Sequence, residues 1–223
     1  MSTLLLLRHG QAMFGADNYD QLTHRGELQA KACSEFWQAR KTTFTRILVG
    51  PRQRHKDTAR IAIRGLPAME VEHDAMLDEF AEASDLMAAA ELRTGVRLTG
   101  GNVRLPKSEL LAHYGSQIKL WSHESHCMAG IENITDFRQR VAGWLDALTN
   151  SRDSGQQVLA VTSGGVIAAV VSEILGLSNA AMAETMWNME NSSLTAVMWS
   201  HRGRAVRYFN STAHLPPALS TNI

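Results

Sequence analysis

The chain is short of cysteine, of long apolar runs and of net charge, and each shortage narrows what it can be. Its two cysteines, Cys33 and Cys127, stand far apart in 223 residues, so no disulfide framework is encoded. Reduced thiols and a cytoplasmic location are the simplest expectation. No apolar stretch approaches the roughly 20 residues of a membrane span. The leucines at 4–7 lack a preceding basic segment and are too few for the apolar core of a signal peptide. Basic and acidic side chains number 22 each, a balance that leaves no global field to attract nucleic acid or an anionic membrane. Internal repeats and low-complexity tracts are missing too. What remains is a chain of the length of one α/β domain, residues 1–223, with room for a sizeable core.

What is present is organised around its beginning. Four consecutive leucines, bounded by a loop-like 10–17 segment, predict a buried strand of a parallel sheet. Thr23 is placed to cap a helix over 24–40, with Leu28, Ala32 and Phe36 on one face. A second strand is expected at 46–49, then a helix running through Asp57, Thr58, Ala59 and Ile61 that Gly65 and Pro67 stop. A third strand is expected at 69–72. Helices at 85–93 and 107–121 flank a loop with Gly100, Gly101 and Pro106, and the whole 80–130 segment reads as an insertion beside the sheet or over the site. Beyond it the pattern predicts a helix at 131–148, a strand at 158–161, a buried helix at 166–175, a helix at 179–190, and a hairpin of 194–199 with 205–209. Strands alternating with helices predict a mainly parallel sheet covered on both faces.

Three of these strands end in residues suited to an anion. The first ends in Arg8-His9, the second in Gly50-Pro51 followed by Arg52, Arg54 and His55, and the fourth in Thr162-Ser163-Gly164-Gly165. The carboxyl edge of an open α/β sheet is where ligands bind. A helix start at Gly164 offers N–H groups and a dipole to a phosphate or carboxylate. Two arginines beside it would match the peripheral oxygens of a phosphoryl group. His9 is the candidate nucleophile, because a neutral imidazole can take a phosphoryl group covalently. Glu79 is the candidate acid for the leaving oxygen.

These residues resemble the histidine phosphatase superfamily, also called phosphoglycerate mutase-like. The likeness rests on Arg8-His9-Gly10, on Leu22-Thr23 with Gly26 and Gln29-Ala30, and on Gly50-Pro51 with Arg54 and Thr58-Ala59. It continues in Leu77-Asp78-Glu79, in Gly130 with Glu132 and Arg140-Val141, in Asn191-Ser192-Ser193, and in Asn210 with His214-Leu215. The resemblance implies a three-layer α/β/α sandwich, a phosphohistidine on His9, phosphate contacts from Arg8 and Arg54, and acid catalysis by Glu79. The sequence departs from the family pattern at Ser163, where a second histidine is usual. It departs again at 11–15, which lacks the Asn- and Trp-bearing extension of the mutase branch and so favours a phosphatase.

The reading that follows is a metal-independent phosphomonoesterase, with His9, Glu79 and Ser163 catalytic, Arg8, Arg54 and Gly164 binding substrate, and no cofactor. Its partner would be a small phosphorylated metabolite. Mutase-type phosphoryl transfer is one alternative, and a weakened phospholigand-binding protein, motivated by Ser163, is another. Arg52 competes with Arg54, and Glu82 with Glu79. Ser163 also fits a plain helix cap, and Arg52, His55 and His214 are candidates to make good the missing imidazole. His123, Glu124, His126 and Cys127 suggest a metal cluster but lack an evident full ligand set. Met182, Met186 and Met189 read as core or interface filler, and Trp187 as a candidate contact of a homodimer.

Overall fold

The computed structural model describes residues 1–14, 20–98, 105–123, 127–150 and 154–222. The readings that touched Gly15, Asp17, Gly100, Gly101, Glu124 and His126 lie outside these residues. The chain runs β1 (Ser2–Arg8), α1 (His24–Ala39), β2 (Arg46–Val49), α2 (Gln53–Ala62), β3 (Val71–His73), a short 3-10 turn (Ala75–Leu77), α3 (Ala83–Thr94), α4 (Lys107–Trp121), α5 (Ile134–Thr149), β4 (Gln157–Thr162), α6 (Gly164–Leu175), α7 (Asn179–Trp187), β5 (Leu194–Ser200), β6 (Gly203–Ser211) and a second 3-10 turn (Pro217–Leu219).

The strands form one sheet in the order β3-β2-β4-β1-β5-β6. β1, β2, β3 and β4 are mutually parallel, and the β5–β6 hairpin adds two antiparallel strands at the far edge. Alternation along β1 sends its leucines to opposite faces. Leu4 and Leu6 join α5, α6 and the insertion helices in the larger core, with Phe137, Leu145, Val166 and Val170. Leu5 and Leu7 face α1 and α2, meeting Cys33, Trp37, Ala59 and Ala62. Helices on both faces make the three-layer α/β/α sandwich, and no helix among the described residues is long and apolar enough to cross a membrane. Fully burying a leucine contributes about 1.5–3 kcal/mol. Leu4, Leu6 and Leu7, at 0% exposure, therefore hold β1 at the middle of the stack.

Local signals set most elements. The Thr23 hydroxyl accepts from Gly26 N at 3.0 Å and starts α1. Gly65 turns the chain after α2 with a φ of 84°. Two expectations are corrected. Of the expected α1 face, Ala32 is buried and Phe36 packs against the core, but Leu28 is exposed, and the inward stripe is completed by Gln29, Ala30, Cys33 and Trp37. The sheet lies against the side of α1 on which Trp37 and Cys33 fall, and their burial outweighs that of a single leucine. β3 begins two residues later than its alternation suggests, because β2 is only four residues long and pairs Ile47 with Val71 and Val49 with His73.

The 80–130 segment stacks on the larger core through Phe80 and Trp121, whose rings lie 3.8 Å apart, and Trp121 Nε1 donates to Glu132 O at 2.8 Å. α3 and α4 pack on each other, and α4 carries Tyr114 to the carboxyl edge of the sheet.

Candidate active site

Register brings the three strand ends together. Arg8 of β1 pairs with Thr162 of β4, and Val49 of β2 pairs with Val161 of β4. One residue further on, His9, Gly50 and Ser163 emerge side by side. A pocket opens there, lined by Arg8, His9, Arg54, Glu79, Ser163 and Gly164. The structure thus gathers every residue assigned to the site from sequence. The rest of the lining is Ala12, Phe14, Ala81, Ala83, Tyr114, Met186, Trp187, Asn191 and Asn222. Trp187 accordingly lines the pocket and packs against Gly115 and Tyr114. Of the three methionines, Met182 and Met189 are core and Met186 is pocket wall.

His9 is 3% exposed. Its Nδ1 lies 2.8 Å from Gly10 O, so the ring holds its proton there and leaves Nε2 as the lone-pair nitrogen. Burial, with Arg54 and Arg8 nearby, holds this imidazole well below its ordinary pKa, against the Gly10 hydrogen bond. It is therefore neutral at neutral pH. The backbone is pinned as well: His9 N donates to Thr162 O at 2.9 Å and Ser192 N to His9 O at 3.1 Å. Gly10 N donates to Thr58 Oγ1 at 3.0 Å, which explains the threonine of the second-arginine motif.

The two candidate arginines separate cleanly. Arg54, 2% exposed, lines the pocket while its Nη1 donates to Asp20 Oδ1 at 2.9 Å and Glu82 Oε2 at 3.0 Å. Arg52 turns away, held by Asp78 and Glu82. Asp20, Arg54, Glu82, Arg52 and Asp78 make an alternating chain of charges that fixes the guanidinium groups. Asp20 also accepts from Gln53 N at 2.7 Å and Arg54 N at 3.1 Å, capping α2 from outside the helix. Sequence reasoning missed Asp20, since nothing local links it to Arg54 across 34 residues. Arg8 donates to the carbonyls of Met189 and, at 3.0 Å, Asn222.

Of the two candidate acids, Glu79 lines the pocket and Glu82 serves the arginines. Glu79 accepts from Gly165 N at 3.0 Å and Phe80 N at 3.2 Å. Burial raises its pKa from the ordinary carboxylate value despite those two bonds and the charges of Arg54 and Arg52. Residue 165 must be glycine for this seat to exist, because a Cβ there would stand 2.1 Å from Glu79 Oε1. Arg140 sets the backbone leading to Glu79: it pairs with Glu132 at 3.0 and 2.7 Å and donates to the carbonyls of Met76 at 2.6 Å and Asp78 at 3.0 Å. Glu132 and Arg140 were visible as a motif, but their task required seeing what they hold.

Ser163 precedes α6 but makes no side-chain bond to it, so the plain cap reading fails. Its Oγ lies 2.6 Å from His55 Nε2. Of the other candidates to replace an imidazole at 163, Arg52 is committed to carboxylates, and His214 lies against Phe36 with its Nε2 3.2 Å from Cys33 Sγ. No group of three or more metal-ligating side chains occurs among the described residues.

The family model described as the histidine phosphatase superfamily (branch 1) matches residues 4–92 and 99–212. The chain belongs to that superfamily. No curated protein sequence matches it. Among solved structures it is similar to phosphoserine phosphatase from Entamoeba histolytica in complex with 3-phosphoglyceric acid. That pair is 20% identical with a TM-score of 0.68, covering 97% of this chain and 100% of that one. It is also similar to a mycobacterial glucosyl-3-phosphoglycerate phosphatase complexed with VO3, at 23% identity and TM-score 0.66, covering 95% and 100%. The α-ribazole phosphatase of Shigella flexneri matches at 20% identity and TM-score 0.64, covering 94% and 96%. At these identities the likeness establishes the fold.

Proposed function

We propose that the protein is a phosphomonoesterase that works through a phosphohistidine on His9. One observation carries this reading: a buried, neutral imidazole with Nδ1 tied to Gly10 O and Nε2 left for attack, in a pocket that also presents Arg8, Arg54 and a carboxyl of raised pKa. Nε2 attacks phosphorus in line, and Arg8, Arg54 and the α6 start at Gly164 stabilise the charge on the peripheral oxygens. Glu79, protonated, gives its proton to the leaving alkoxide. The resulting carboxylate then takes a proton from water as it attacks phospho-His9, returning the site to its first state.

The lining beyond the phosphate-binding residues supports hydrolysis over mutase-type transfer. Among the described residues it is mostly aromatic and aliphatic, with Phe14, Tyr114, Met186 and Trp187 beside Asn191 and Asn222. Such a lining suits a small phosphorylated metabolite with an apolar portion better than a second anionic group. The test is to trap the intermediate with a labelled phosphoester. An acid-labile, base-stable adduct should map to His9 and vanish in His9→Ala. An adduct that persists in that variant refutes the assignment.

A further inference from the structure

Ser163 and His55 form a buried pair that the proposed chemistry leaves unexplained. His55 is the third residue of α2 and has 0% exposure, and Ser163 has 2%. Their side chains, 108 residues apart in sequence, meet at 2.6 Å. The other ring nitrogen of His55, Nδ1, is buried without a hydrogen-bond partner. It faces Gly50, where a Cβ would lie 2.3 Å away. Glycine at 50 thus admits a ring whose one polar contact among the described residues is the hydroxyl of a pocket-lining serine.

We propose that His55 is a positioning residue whose Nε2–H donates to Ser163 Oγ and thereby turns the Ser163 O–H onto the bound phosphoryl group. The proposal rests on the phosphatase reading above. Its proton order follows from the surroundings. The His9 ring is centred 5.7 Å away and Arg54 is the preceding residue, so a charged imidazole would be repelled, and burial disfavours it further. A neutral imidazole has one N–H. The phosphoryl dianion only accepts, so Ser163 must donate to it and needs a donor behind. The reverse order would leave an N–H at Nδ1 buried without an acceptor and aim serine lone pairs at the anion. In the order proposed, each bond polarises the next. The pair stands in for the imidazole expected at 163, built from two side chains.

The test uses the full chain and an aryl phosphate. Ser163→Ala and His55→Leu should each lower kcat about ten- to a hundredfold with KM within about twofold, and the double variant should be no slower than the slower single one. His55→Gln, which keeps an N–H donor, should recover part of the loss. With inorganic phosphate bound, the ¹⁵N spectrum of the wild-type His55 ring should show Nε2 protonated and Nδ1 bare. Losses that multiply in the double variant, no recovery with glutamine, or a proton on Nδ1 would each overturn the proposal. Should His55→Leu fail to fold, His55→Gln and the wild-type spectrum still decide. In parallel, the wild-type protein is mixed with the labelled phosphoester and quenched to trap phosphohistidine. Its absence sinks the phosphatase reading and this proposal with it, whereas its presence alongside multiplying losses sinks only the role of His55.

Discussion

Glu79→Gln is the perturbation that most directly tests the chemistry. The substitution keeps volume and removes the transferable proton. Loss of a general acid costs about 10²–10⁴ in rate, or roughly 2.7–5.5 kcal/mol at 1.36 kcal/mol per tenfold. The structure adds a second cost. Both carboxyl oxygens accept backbone N–H bonds, from Gly165 at 3.0 Å and Phe80 at 3.2 Å, so the glutamine amide must set its NH2 against one of those donors. That leaves an unmade buried bond worth about 1–3 kcal/mol of stability. Rapid-quench measurement of phosphoenzyme formation separates the two effects. An alkyl phosphate needs its leaving oxygen protonated and should show the full loss. A nitrophenyl ester, whose leaving group departs as a stable anion, should lose at least about tenfold less. The pH profile carries the same logic. Activity requires His9 unprotonated and Glu79 protonated, so the rate rises through the lowered pKa of His9 and falls through the raised pKa of Glu79. Glu79→Gln should erase the falling limb. Equal losses on both esters, or a falling limb unchanged in the variant, would refute Glu79 as the acid.

Three further outcomes are expected. Arg140→Ala strips the carbonyls of Met76 and Asp78 of their donor and frees Glu132. It should cost about 1.5–3 kcal/mol in urea unfolding and lower kcat about 10–10²-fold through displacement of Glu79; an unchanged kcat would show that the clamp does not position the acid. Stability should fall with acid: His9, His55 and His214 have folded pKa values below the unfolded one, that of His214 being about 4. Their contribution is full above about pH 6.5 and is lost as pH falls toward the folded values, because the unfolded chain then binds protons the fold refuses. Glu79, with its folded pKa raised, works in the opposite sense over its own window, but it is one group against three. A denaturation midpoint at pH 5.0 equal to or above that at pH 7.5 would contradict neutral burial of these rings. Finally, a disulfide-exchange reagent should titrate one thiol in the native protein, the exposed Cys127, since burial both covers Cys33 and raises its pKa; two thiols reacting at once would refute that packing.

The features written locally in the chain were readable from it. The leucine strand, the Thr23 cap, the 46–49 strand and the late hairpin depend on periodicity and on residues within one turn of each other, and the motifs from Arg8-His9-Gly10 to Asn191-Ser192-Ser193 carried the family. The inward face of α1 was misjudged at Leu28 because an amphipathic pattern does not say which way the sheet lies. A rival stood beside the preferred residue at each decisive step: Arg52 beside Arg54, Glu82 beside Glu79, a plain cap beside a pocket contact at Ser163. Tertiary structure put Arg54, Glu79 and Ser163 in the pocket lining and Arg52 and Glu82 outside it. Register between β1, β2 and β4 set which strand ends meet, and the carboxylates of Asp20, Asp78 and Glu82 took Arg52 out of the pocket while leaving Arg54 in it. The His55–Ser163 contact joins positions 108 residues apart. No local propensity connects such positions; only the packing of α2 against the end of β4 brings an imidazole within hydrogen-bonding distance of that hydroxyl.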